Sequence, residues 1–92
     1  MLNIDKENLR DVYFTYKRYA RLMCAGADSD EVQGAVNDAC EAENVCVDLL
    51  DLPWKIVATF QNAANKVAVL EQSNPEEASE LEDTYLTYLE TL

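Results

Sequence analysis

The sequence contains no histidine. The commonest general base is therefore missing, and the histidine-containing ligand sets of zinc and di-iron sites cannot be assembled. Only two glycines occur, and no Gly-rich loop is present to cradle a phosphate. Prolines also number two, so a few long elements are expected in place of many short strands. No apolar run approaches the roughly 18–20 residues that cross a bilayer, and no membrane partner is expected. The opening Met1-Leu2-Asn3-Ile4-Asp5-Lys6-Glu7 is polar with no apolar stretch behind it. That points away from a secretory signal and towards the cytoplasm. Cys24, Cys40 and Cys46 are odd in number and lack CxxC spacing, so they are expected as buried, reduced thiols. No Ser or Cys stands beside a plausible base, and no EF-hand spacing appears. Together these absences predict no enzyme activity, no catalytic residues, no metal and no cofactor.

Positive charge is the other scarcity. Seven Lys and Arg stand against 18 Asp and Glu, a formal net charge of −11. The apolar fraction, 49%, nevertheless argues for a folded chain. With 92 residues it makes one domain, whose margin of stability is thin at this size.

Periodicity and punctuation predict four helices, over about 5–25, 29–50, 53–72 and 75–91. In the first, Leu9, Val12, Tyr13, Tyr16, Ala20, Met23 and Ala27 recur at three- and four-residue steps. Gly26 then marks a turn. Asp28 and Glu31 have the form of a capping box for the second helix. Its apolar face carries Val32, Ala35, Val36, Ala39, Cys40, Cys46, Val47 and Leu50. Pro53 opens the third, with a stripe of Ile56, Phe60, Ala63, Val67 and Leu70. Asn74, Pro75, Glu76 and Glu77 open the fourth, which carries Ala78, Leu81, Tyr85, Tyr88 and Leu92. Short links imply antiparallel neighbours, hence an all-α fold: a small bundle of about four antiparallel helices. An open three-helix core with the fourth helix docked on a partner is the alternative.

Charge is sorted by helix. Residues 1–27 hold Lys6, Arg10, Lys17, Arg18 and Arg21, for a balance of +2. Residues 28–52 hold eight acids and no base, and residues 75–92 six acids and no base. At 100° per residue, Asp30, Glu31, Asp38, Glu41 and Asp48 share one sector of the second helix. Glu76, Glu80, Asp83 and Glu90 do the same on the fourth. Arg10, Phe14, Lys17, Arg18 and Arg21 form a basic strip with one aromatic on the first. Two residues break the pattern. Glu43 falls in the apolar sector of its helix, so it is either paired, with an Arg or Lys of the first helix the favoured partner, or it marks a helix break. Trp54 lies opposite its apolar stripe, and either closes the end of the core or is an exposed anchor for a partner.

Three functions are compatible with this pattern. Ordered rows of carboxylates resemble the charge of a nucleic-acid backbone and suit a basic groove built for phosphate. On this expectation the protein is a small acidic inhibitor or modulator of a nucleic-acid-handling protein. Phage and other mobile elements deploy counter-defence proteins of that kind, anti-CRISPR proteins among them. The alternative is a helical adaptor or assembly subunit, in one form a homodimer. There the basic strip answers an acidic strip within the chain or across a two-fold axis. Direct nucleic-acid binding through the first helix is disfavoured, because the rest of the molecule would repel phosphate.

Overall fold

A computed structural model describes residues 5–92; the first four residues of the polar opening lie outside the described residues. Four α-helices follow in order: α1 (Lys6–Ala25), α2 (Ser29–Asn44), α3 (Trp54–Glu71) and α4 (Pro75–Thr91). The described residues contain no strand.

Local chemistry explains the boundaries. Asp5 caps α1 by accepting from the Asn8 amide at 3.1 Å. Gly26 ends α1 at φ +67, a left-handed conformation that glycine adopts without steric cost. Asp28 caps α2, accepting from the amides of Asp30 (2.9 Å) and Glu31 (3.2 Å). Asn74 caps α4 through the Glu77 amide at 3.1 Å, with Pro75 in the first turn. Glu76 and Glu77 then lie against the positive end of the helix dipole.

The second helix differs from expectation at its end. Helical winding continues to Leu49, but Val45–Leu49 forms a wider π-helical turn. The Leu50 amide bonds the Val45 carbonyl at 3.0 Å, and the Leu52 amide bonds the Cys46 carbonyl at 2.9 Å. The wider turn carries Cys46 into the core and Leu49 and Leu50 out of it, and Leu52 fills the apolar place beyond. Asp51 makes the corner at φ +51.

Consecutive helices run antiparallel. As a result α1 and α3 run parallel, and they form the central pair. α2 flanks α1, while α4 lies along α3 and also reaches α1. The shape is a flattened bundle, 42 × 30 × 17 Å. Leu9, Val12, Tyr13, Tyr16, Val57, Phe60, Ala64 and Leu89 fill its centre.

Several stripe positions move. Met23 is exposed, because Ala20 is the last buried position of α1 and beyond it only Leu22 is partly covered. On α4, Leu89 takes the fully buried place and Tyr88 is half-exposed, its ring stacked 6.0 Å from Phe60. That helix is turned so that Glu82 faces α1. Of the three cysteines only Cys46 is buried. Cys24 and Cys40 are exposed, which corrects the expectation of three core thiols: Cys24 lies in the uncovered last turn of α1, and Cys40 faces out from α2.

Candidate functional site

The basic residues of α1 turn towards the other helices. Arg21 donates to both carboxylate oxygens of Glu71 at the end of α3, at 2.8 and 2.7 Å. Arg10 pairs with Glu90 of α4, whose backbone carbonyl also accepts from Lys6 at 2.7 Å. Arg18 reaches Asp38 of α2 at 3.4 Å. Lys17 is buried, contrary to its expected place in a surface strip. It pairs with Glu82 of α4 and lies 3.6 Å from Glu71. Its ammonium sits 5.8 Å from the ring centroids of both Tyr13 and Phe14. Phe14, half-exposed, packs edge-on against Tyr13.

This charge cluster is tightly bonded. Tyr13 donates to Glu82 at 2.8 Å. Burial, then the bond to Glu82, pushes the Tyr13 hydroxyl pKa far up. Burial alone would raise Glu82, but the Lys17 ammonium and the Tyr13 hydroxyl hold its carboxyl below the usual value. The Arg21 fork holds Glu71 down, and Glu71 in return raises Arg21.

Glu43 resolves in a way that joins both sequence alternatives. Its carboxylate accepts from Tyr16 of α1 at 2.7 Å, so the partner is a hydroxyl and not the expected cation. The α-helical winding gives way two residues later. Burial and the bond to Glu43 raise the Tyr16 hydroxyl pKa, and burial pushes the Cys46 thiol up to about 11.

The acidic faces are exposed throughout. Asp38 and Glu90 are engaged by α1. Among the described residues Asp30, Glu31, Glu41, Asp48, Glu76, Glu80 and Asp83 are in no ion pair. Cys40, Glu41, Asn44, Val45, Asp48 and Leu49 line a shallow groove on the outer side of α2. Trp54 stands exposed at the start of α3, not over the core. Leu49, close by in the chain, was not singled out from the sequence, and Leu50, expected on the apolar face of the second helix, is instead exposed past the π-turn. Their signal is the Asp-Leu-Leu-Asp-Leu-Pro-Trp run, where two leucines sit between acids at a corner.

Among the described residues no group of His, Cys, Asp and Glu could hold a metal ion, and no buried side-chain polar atom lacks a partner. Nor is any described helix long and apolar enough to cross a membrane. No family model, curated protein or solved structure matches the chain, so its function is argued from its own residues.

Proposed function

We propose that the protein is a small binding module that blocks or modulates a nucleic-acid-handling protein by covering its basic surface. One observation carries the proposal: the cations of α1 are paired within the molecule, Lys17 in its interior and Arg10, Arg18 and Arg21 at its surface. Arg10, Lys17, Arg18 and Arg21 each meet a carboxylate of the same chain. Apart from Asp38 and Glu90, the outward carboxylates of α2 and α4 are left without an ion pair among the described residues, and their field acts on partners. A partner shaped for phosphate supplies lysines and arginines at matching intervals. The same pairing offsets the charges that a two-fold dimer or a nucleic acid would use on α1, most fully at the buried Lys17.

The test is capture from nuclease-treated lysate at low and high salt. The expected result is a nucleic-acid-binding protein, retained at low salt and displaced by added DNA or RNA. Charge reversal at Asp30, Glu31 and Glu41 to Lys should abolish its recovery while the protein stays folded, with a small loss of stability because Asp30 and Glu31 lie in the first turn of α2. Recovery that ignores both salt and competitor would sink the proposal.

A further inference from the structure

Among the described residues, the corner between α2 and α3 holds the most exposed large apolar side chain. Leu49 is 78% exposed, Trp54 55% and Leu50 39%. Free ends often expose leucines by fraying, but this corner is pinned. Both amide bonds of the π-turn hold it, and Cys46 and Leu52 anchor it in the core. Asp51 sits in the left-handed region, which a non-glycine residue occupies only at a cost and where surrounding structure enforces it. The leucines are thus held outward by the fold. Glu41 and Asp48 line one groove with Leu49, and Asp51 follows Leu50 in the chain; all three are exposed, and residues 28–54 contain no base, the next being the exposed Lys55.

We infer that this corner is the docking surface for a basic amphipathic helix of a partner protein, one that sets apolar side chains between lysines or arginines. The inference rests on the reading of the chain as a protein-binding module and names its contact. Charge selects the occupant. A second copy of this corner would bring Asp48 and Asp51 against their own kind, and nucleic acid or an anionic membrane would be repelled. A basic helix satisfies both features at once: its apolar side covers Leu49, Leu50 and Trp54, and its cations meet the acidic rim.

Trp54 is the sole tryptophan, so its emission reports on the corner directly. The intact protein is titrated with a synthetic amphipathic helix of leucine and lysine. A lysine–serine peptide of equal charge serves as the control. The expected result is a blue shift of Trp54 emission and protection from acrylamide with the first peptide alone. Leu49→Ser with Leu50→Ser should weaken that binding about tenfold. Leu50 is only 39% exposed, so the folding control is Leu49→Ser alone, whose helicity and melting should match wild type. Glu76→Lys with Glu80→Lys should leave binding nearly unchanged at physiological salt. Those residues lie in the first turns of α4, which returns alongside the last turns of α3, so they stand about 20–27 Å from the corner by helix rise, beyond a Debye length.

Other outcomes overturn the inference. Binding without a Trp54 shift places the contact elsewhere. An equal effect of the lysine–serine peptide makes it charge alone, and if reversal of Asp30, Glu31 and Glu41 abolishes that effect, the broader acidic-surface proposal survives. A shift that depends on protein concentration without peptide makes the occupant a second copy. Failure of both peptides at low salt ends the corner and the acidic-surface proposal together.

Discussion

Lys17→Met should be the most damaging single change among the basic residues of α1. The Lys17 side chain is 8% exposed, and its partner Glu82 is 23% exposed. Removing one member of a buried pair costs about 3–5 kcal/mol when the other charge is left stranded. Here the stranding is incomplete. Glu82 keeps the Tyr13 hydroxyl, Glu71 keeps the Arg21 fork, and both carboxylates retain some water. The expected cost is therefore about 2–3 kcal/mol, below the full range for a sealed pair. In a domain of this size that lowers Tm by about 10–20 °C. Urea and thermal melts followed by circular dichroism measure it. Glu82→Gln keeps an acceptor for Tyr13 while removing the charge, so the double variant isolates the ionic contact. A coupling of about 1–2 kcal/mol is expected in that cycle. A Lys17→Met cost under about 0.5 kcal/mol, the behaviour of an exposed pair, would refute the placement of Lys17 as a buried hub. Strict additivity would refute its coupling to Glu82.

Arg18→Ala should cost less than about 0.5 kcal/mol, because both members of its pair are mostly exposed, at 61% and 59%; a larger loss in the same melts would contradict the geometry. The folded-state pKa values of Glu71 and Glu82 are depressed. Their contribution is complete above the ordinary Glu value of about 4.3 and is lost as pH falls through the folded values. The stability gap between wild type and Glu82→Gln should therefore shrink between neutral pH and about pH 3, and a constant gap would count against the argument. Two thiols, Cys24 and Cys40, should react with an aromatic disulfide reagent in the native protein, and Cys46 only on unfolding; three fast thiols would mean that the π-turn does not bury Cys46. Gly34 lies inside α2 with open space at its Cβ position, so Gly34→Ala should stabilise by about 0.5–1 kcal/mol. At the left-handed Gly26, Gly26→Ala should destabilise by about 1–2 kcal/mol.

The helix starts were legible because their causes are local. Asp28 and the Asn74-Pro75-Glu76-Glu77 run act within a turn of themselves, and the structure uses them as caps. The periodic stripe of α1 was legible for the same reason as far as Ala20. A helical wheel, however, gives direction around a helix and not how far the neighbours extend along it. Met23 shares the angle of the stripe and stands past its cover. The wheel also assumes one buried face. α1 is packed by α2 on one side and by α3 and α4 on the other, so Lys17, about 90° from the centre of the main stripe, is buried too. The π-turn had a weaker trace. Glu43 signalled a conflict in the apolar sector, but its resolution depended on Tyr16 arriving from another helix.

The central position of α1 also explains why so acidic a chain collects its bases on one helix. Of the four helices, α1 alone packs against each of the other three. A cation there can meet a carboxylate of any of them, and each of the others is met: Asp38 on α2, Glu71 on α3, Glu82 and Glu90 on α4. Bases placed on α2 or α4 would have neutralised an outer face and reached fewer neighbours than α1 does. Concentrating them at the centre lets a few cations hold the strongly acidic helices against mutual repulsion while leaving the outward rows of Asp30, Glu41, Glu76 and Glu80 uncompensated. Cohesion and an acidic exterior thus follow from one arrangement. It also separates the two kinds of variant: changes at Lys17 or Arg21 should act on stability, and changes at the outer rows or the Leu49 corner should act chiefly on binding.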